Sequence, residues 1–155
     1  MAKTSKTSIY GIHPSVERWA GHAAMPPEFA SPGAYLTAAE GYVEQMFAGP
    51  KAGLRPLYNA LLTVGLSIGK DTKACPCKTI VPIYRHHVIA QIKPATKTRI
   101  DFGLALGNTK APKRLVDTGG FKKKDRITHR IEVTSIDDID DELKRWLKRA
   151  YEMDA

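Results

Sequence analysis

The sequence predicts an α+β domain: an antiparallel sheet of about four to five strands, with two helices before it and one C-terminal helix packed on one face. Three observations indicate this fold. Apolar residues recur at helical spacing before residue 70, alternate with a period of two between residues 79 and 133, and return to helical spacing after residue 135. Strands that follow one another without intervening helices favour an antiparallel sheet, and 155 residues suffice for one domain with its own core.

Two helices are predicted ahead of the sheet, over residues 34–47 and about 54–68. The first ends at the sequence AGPKAG, which is rich in helix-breaking residues. The second carries Pro56 in its first turn, where the missing amide hydrogen costs little. Residues 1–33 contain a Pro-rich break and are interpreted as a partly irregular N-terminal extension, so residues 34–155 form the predicted single domain.

The segments predicted to form strands are 79–85, 88–93, 99–106 and 127–133. Pro82 cannot donate to a central ladder, so the first strand is expected at a sheet edge or at a bulge. The second and third strands form a hairpin whose inward positions are all apolar if residues 94–98 are the loop. That register places Lys93 directly opposite Arg99 on the outer face, where like charges destabilise a sheet unless water or an anion lies between them.

The C-terminal segment has the clearest helical pattern in the chain. Ser135 is the predicted N-cap, aspartates at residues 137–141 lie near the positive end of the helix dipole, and lysines and arginines follow. An apolar stripe from Ile136 to Tyr151 is expected to face the sheet.

The formal net charge of +8 is unevenly distributed along the chain. Residues 1–70 carry six Lys/Arg and four Asp/Glu, residues 71–130 carry fourteen and four, and residues 131–155 carry four and eight. The middle segment therefore has a net charge of +10 and the last segment one of −4. A concentrated positive field favours an acidic partner, whereas the alternative is a solvated surface that the acidic end partly neutralises.

Two clusters in the basic segment are candidate anion sites. The predicted contacts are Lys93, Thr96, Lys97, Thr98, Arg99, Lys122, Lys123, Lys124 and Arg130. Asp101 is expected to orient Arg99. The loop GGFKKKDR, residues 119–126, is expected to be mobile, and Phe121 or Tyr84 is the candidate for stacking on a base of a single strand. The alternative for this loop is a solvated lysine turn that binds nothing.

An enzymatic alternative uses the same cations to clamp a phosphate or carboxylate, with His129 or Asp101 as acid or base and Tyr84 nearby. His129 is in phase with the apolar residues of its strand, so a neutral structural histidine is the competing interpretation. No GxSxG, HExxH, GxGxxG or P-loop sequence is present. We therefore favour a protein without catalysis and without a cofactor.

The sequence CPC offers a third possibility, a metal or thiol site. Alternation places Cys75 and Cys77 on the same side of an extended segment, and His86 or His87 is available to complete a site with them. The spacing is not that of a zinc knuckle, and no second cysteine pair exists. Reduced thiols that pack as small apolar residues are the alternative.

Several strings of residues carry a family resemblance. The segments CPCKTIVPIYRHHVIAQIKPATKTRIDFGLALG, RLVDTGGFKKKDRITHRI and DIDDELKRWLKRAYE resemble the bacterial family of domain of unknown function 5655. The opening SIYGIHPSV is similar to the start of a second uncharacterised domain, number 4287, although most of the helical body expected after it is missing. More distantly, the family resembles YdhG-like α+β domains that have been compared with frataxin. The resemblance implies the fold and a bacterial origin, and it implies no catalytic residues.

The favoured function is non-catalytic binding of an anionic partner, with nucleic acid ahead of a nucleotide or an acidic protein. No segment approaches the roughly 18 apolar residues of a membrane span, and the N-terminus lacks the apolar stretch of a signal peptide. We accordingly expect a cytoplasmic protein with no membrane partner.

Overall fold

The computed structural model describes Tyr10, residues 32–110 and residues 112–155. Its strands are β1 (Lys73–Ala74), β2 (Val81–Tyr84), β3 (Val88–Pro94), β4 (Ile100–Leu104), β5 (Val116–Asp117) and β6 (His129–Val133). They form one antiparallel sheet in the order β1-β2-β3-β4-β6-β5. The predicted α+β class is confirmed. The sheet has six strands rather than the four to five predicted, and the alternation of apolar residues did not reveal β1 and β5 because each has only two residues.

Two helices precede the sheet and one follows it, as predicted. They are α1 (Pro32–Met46), α2 (Arg55–Ser67) and α3 (Asp141–Met153), with short 3-10 turns at Ala52–Leu54 and Ile136–Asp138. The last helix starts later than predicted, because Ser135 precedes the 3-10 turn rather than α3. The Asp138 carboxylate accepts from the amide of Ser135, and Asp140 then caps α3 by accepting from the amide of Leu143.

One face of the sheet packs against α2 and α3 and forms the main core. The apolar residues that β3, β4 and β6 direct to this face are fully buried: Ala90, Ile92, Ile100, Phe102, Leu104, Ile131 and Val133. The helices contribute Leu57, Tyr58, Leu61, Leu143, Leu147 and Ala150. Burying one large apolar side chain stabilises a fold by about 1.5–3 kcal/mol, so this layer supplies most of the driving force for folding.

The β3–β4 hairpin has a register two residues away from the predicted one. Lys93 pairs with Asp101, so the predicted pairing of Lys93 with Arg99 is wrong. A shift of two residues leaves every side chain on its predicted face, and the apolar pattern therefore cannot distinguish the two registers. The observed register places Lys93 opposite a carboxylate instead of a second cation, and the amide of Ala95 donates to the carbonyl of Arg99 to close the loop 95–99.

The first predicted strand, β2, is not at the edge of the sheet, because β1 lies outside it. The carbonyl of Pro82 accepts from the amide of Cys75, so the proline takes part in the ladder as an acceptor only. The predicted bulge is present one residue further on, between Ile83 and Tyr84.

One residue of the predicted N-terminal extension lies against the domain. Tyr10 forms a parallel bridge with Ala74, and its hydroxyl oxygen is 2.8 Å from that of Tyr58. Burial in the core raises the pKa of Tyr58. The rest of the extension, up to residue 31, is outside the described residues, and the domain boundary near residue 33 stays a prediction.

The C-terminal end of α3 is held against the turn between β2 and β3. The buried Asp154 carboxylate accepts from the amides of His86 and His87 at 2.8 and 2.7 Å, and its other oxygen is 2.7 Å from His87 Nδ1. Burial alone would raise the pKa of Asp154, but these donors together hold it below its usual value. On the neighbouring turn of α3, Tyr151 lies so close to Gly69 that a Cβ at residue 69 would overlap its ring.

Candidate anion-binding site

The sheet face that lies away from α2 and α3 carries polar residues, and we call it the outer face. Alternate positions of β3, β4 and β6 place there Gln91, Lys93, Asp101, Gly103, Arg130 and Glu132. Ile127 and Gln91 pack closely over Gly103, since a Cβ at this residue would be 2.8 Å from Ile127 Cγ2 and 3.0 Å from Gln91 Cγ. A side chain at residue 103 would therefore displace the side chains of β3 and of the segment that leads into β6.

A groove of about 460 Å³ crosses the outer face between Lys93, Asp101 and Arg130 of the sheet and Asp125 and Arg126 of the preceding loop. A second depression of about 500 Å³ continues from it at the hairpin end and is lined by Lys51, Lys78, Lys93, Arg99 and Asp101. A third, of about 590 Å³, continues at the other end and is lined by Phe121, Lys122, Lys124, Asp125, Arg126 and Met153. The first and second share Lys93 and Asp101, and the first and third share Asp125 and Arg126, so the three are contiguous.

We call these three depressions together the basic track. Its cations are Lys51, Lys78, Lys93, Arg99, Lys122, Lys124, Arg126 and Arg130, and its carboxylates are Asp101 and Asp125. Cations thus outnumber carboxylates along its whole length, which makes the track a favourable path for an extended anion.

Two arginines in the track are held by carboxylates. Arg99 Nε donates to Asp101 Oδ1 at 2.9 Å, which is the predicted contact, and Arg130 Nε is 3.7 Å from Asp101 Oδ2. Glu132 Oε2 is 3.3 Å from Arg130 Nη2 and 3.9 Å from Arg99 Nη1. Each guanidinium therefore lies between two carboxylates, and much of its charge is compensated within the protein.

The lysines of the track are in a different situation. The side-chain ammonium groups of Lys78, Lys93 and Lys124 form no hydrogen bond or ion pair with any residue of the described ranges, whereas Lys51 Nζ donates to the carbonyl of Pro94 at 2.8 Å. Lys78, Lys93 and Lys124 are exposed, and Lys51 is half-buried. Uncompensated charge at these positions is available to an external anion.

Three of the predicted contacts are at the exposed tip of the hairpin and do not line the track. Thr96, Lys97 and Thr98 lie there, and the Thr96 hydroxyl is already engaged because it accepts from the amide of Thr98 at 3.2 Å. Lys123 is also exposed and does not line the third depression, to which its neighbours Lys122 and Lys124 contribute. The tip is thus a secondary part of any anion site.

The loop predicted to be mobile contains a set of internal hydrogen bonds that is not typical of a mobile loop. The amide of Gly119 donates to Asp117 at 2.7 Å, and the amide of Asp125 donates to the carbonyl of Gly120 at 2.8 Å. Gly119 has φ +79°, and a Cβ at Gly120 would overlap the carbonyl of Ile127. The two glycines are therefore required by conformation and close packing rather than by flexibility.

Arg126 connects the loop to the rest of the fold. Its guanidinium donates to the carbonyl of Val88 at 3.0 and 3.2 Å and lies 3.7 Å from the buried carboxylate of Asp154. Sequence reasoning did not assign Lys51 or Lys78 to the site, because folding brings them beside the hairpin from separate segments and no local pattern marks them. It also left out Arg126, although this residue ends the loop 119–126.

The residues of the enzymatic alternative do not come together. His129 is 2% exposed and pairs with Leu104 on the core face, opposite to the face of Asp101. Its Nδ1 is 2.8 Å from the Thr128 hydroxyl oxygen. Tyr84 packs in a separate buried cluster, where burial together with nearby thiols raises its pKa to about 12. Tyr84 is therefore also unavailable for stacking on a ligand.

The four candidate metal or thiol ligands occur as two neighbouring pairs, Cys75 with Cys77 and His86 with His87. Cys75 is buried with Tyr84, and burial raises the pKa of the Cys77 thiol, which disfavours a thiolate at neutral pH. His86 and His87 serve the contact with Asp154 described above. Among the described residues, no cluster of three or more His, Cys, Asp or Glu side chains has the arrangement of a metal site.

No helix within the described parts of the chain is long and apolar enough to cross a membrane. Neither the comparison with curated proteins nor that with solved structures gave a match. Residues 43–154 match the family described as Domain of unknown function (DUF5655). The match includes all six strands, α2, α3 and every residue that lines the basic track, while the bacterial origin and the more distant likenesses stay predictions. On this evidence the chain belongs to the DUF5655 family.

Proposed function

We propose that this domain binds nucleic acid along the basic track and does so without catalysis. The observation that supports this proposal is the contiguity of three depressions in which cations outnumber carboxylates. A nucleic-acid strand carries regularly spaced phosphates, and each phosphate that a lysine or arginine neutralises releases condensed counterions. The resulting affinity is largely independent of sequence and falls steeply with salt concentration.

The length of the track favours a polymer over a single small anion. Along β4 and the residue after it, the positions that line the depressions run from Asp101 to Ala105, and at about 3.3 Å per residue they cover about 13 Å. The depressions at either end extend it further, to Lys78 on one side and to Lys124 on the other. A mononucleotide occupies only one of the three depressions, whereas an oligonucleotide contacts all of them.

The experiment is a titration of the purified protein into a fluorescein-labelled oligonucleotide, followed by fluorescence anisotropy at several salt concentrations. We expect the logarithm of the binding constant to fall linearly with the logarithm of salt concentration, with a slope of about −0.7 to −0.9 per phosphate contact. Lys93→Ala should weaken binding to all sequences alike and reduce the magnitude of the slope by about one.

Lys148→Ala is the matched control, because it removes the same charge from the exposed side of α3, on the layer opposite the outer face. Its binding curve should match that of the unaltered protein. No binding at low salt, or an equal loss in the Lys148 and Lys93 variants, overturns the proposal. Competition by a mononucleotide or an acidic peptide as effective as that by the oligonucleotide would show that the ligand is one of these smaller anions.

A further inference from the structure

Exposed apolar side chains are concentrated at one end of the basic track. The large hydrophobic residues that are more than half exposed in the described ranges are Phe121, Ile136 and Met153. Phe121 and Met153, which are 51% and 53% exposed, both line the third depression. Phe121 comes from the loop before β6 and Met153 from the end of α3, so two distant segments expose apolar surface to the same space.

The fold presents both side chains from well-anchored backbone. Phe121 lies in the hydrogen-bonded loop, where its carbonyl accepts from the amide of Lys124 at 3.1 Å. Met153 precedes Asp154, whose carboxylate is buried against the turn between β2 and β3. Gly107, with φ +58°, also borders this depression, and a Cβ there would touch Met153 Cε at 3.4 Å.

The third depression is lined by both apolar and cationic side chains, so neither a purely apolar nor a purely anionic ligand would match all of its lining. Lys122, Lys124 and Arg126 line it together with the aromatic ring and the thioether. A ligand that matches this lining has a flat apolar group attached to a negatively charged backbone. An unpaired nucleotide in a single strand has both parts, whereas the bases of a duplex are stacked on one another and turned away from the phosphates.

We propose that the third depression accepts an unpaired base stacked on Phe121, so that the domain prefers single-stranded over double-stranded nucleic acid. This inference rests on the function proposed above and specifies the form of nucleic acid that the track takes. The phosphates on either side of the base lie near Lys122, Lys124 and Arg126. Met153 covers the other side of the base with a flexible, polarisable side chain.

The test compares a labelled thymidine homopolymer with a labelled mixed-sequence duplex of the same length in the anisotropy assay. Phe121→Ala should weaken binding of the homopolymer about 5- to 100-fold, because base stacking on an aromatic side chain contributes that much per base, and should change duplex binding by less than about 2-fold. Phe121→Trp should retain homopolymer binding. Ile136→Ala removes the third exposed apolar side chain, outside the track, and should change neither affinity.

Equal affinity of the unaltered protein for homopolymer and duplex, or equal homopolymer affinity of the Phe121→Ala and unaltered proteins, overturns this inference while leaving the proposed function in place. Absence of binding to either nucleic acid overturns both. Because Phe121 is half exposed, its replacement should leave the fold intact, and matching circular dichroism spectra of the alanine and tryptophan variants check this.

Discussion

Replacing Lys124 by glycine should stabilise the fold relative to the same replacement at Lys123, although each removes one positive charge from the same loop. Lys124 has φ +62°, in the left-handed region, while Lys123 does not. In this region the Cβ of an L-residue approaches its own carbonyl too closely, and glycine avoids the conflict. The two neighbouring lysines therefore form a matched pair that differs in backbone conformation.

The expected magnitudes follow from this difference. Left-handed backbone costs an L-residue about 1–2 kcal/mol, which glycine at residue 124 recovers. Glycine also gives the unfolded chain more freedom, which costs about 0.5–1 kcal/mol at either position. The free energy of unfolding should thus rise by about 0–1.5 kcal/mol for Lys124→Gly and fall by about 0.5–1 kcal/mol for Lys123→Gly.

Urea denaturation of both variants, monitored by circular dichroism, measures this difference of about 1–2 kcal/mol directly. In a thermal scan the same difference corresponds to a separation of about 2–8 °C between the two melting temperatures. Equal unfolding curves for the two variants would refute the claim that residue 124 stores strain. Lys124→Gly should also lose oligonucleotide affinity while gaining stability, since Lys124 lines the track and its strain then serves to place its ammonium group.

Three further predictions concern other contacts. Because the folded pKa of Asp154 is depressed, its contribution to stability is present above the usual Asp pKa of about 4 and is lost as the pH falls. Asp154→Asn should therefore lower the free energy of unfolding by about 2 kcal/mol at pH 7, and urea denaturation at pH 3 should show a smaller difference between the variant and the unaltered protein. Asp101→Asn removes the carboxylate between two arginines, so oligonucleotide affinity at low salt should increase; a decrease in the anisotropy assay would contradict this. Gly69→Ala should lower the free energy of unfolding by about 1–3 kcal/mol through overlap with Tyr151. The same replacement made in a Tyr151→Ala variant should lower it much less relative to Tyr151→Ala alone, as measured by thermal denaturation.

The sequence allowed the faces of the strands to be predicted but not their register. Alternation of period two assigns each residue of β3 and β4 to one face, and a slip of two residues preserves that assignment. The choice between registers depends instead on the charges of Lys93, Arg99 and Asp101 and on the geometry of the loop, neither of which the apolar pattern contains. The two-residue strands were missed for a related reason, since a period cannot be read from two positions.

The candidate site was predicted in part. Lys93, Lys124 and Arg130 were identified from the dense cationic strings around them, and they do line the track. Lys51 and Lys78 are single lysines in segments of ordinary composition, and tertiary packing brings them beside the hairpin. The sequence alone does not reveal the role of Gly119 and Gly120, because a glycine demanded by conformation or close approach has the same appearance in a sequence as one that confers freedom.

The pairing of Arg99 and Arg130 with carboxylates limits what the outer face can distinguish. A guanidinium that is free can hold a guanine edge or a phosphate with two parallel hydrogen bonds, but these two are engaged with Asp101 and Glu132. Arg126 likewise lies beside the Asp154 carboxylate, and the cations of the track that form no ion pair are lysines, single charges on flexible stems that adjust to phosphates in many positions. Under the proposed function, the affinities of the domain for single strands of different sequence should therefore differ little.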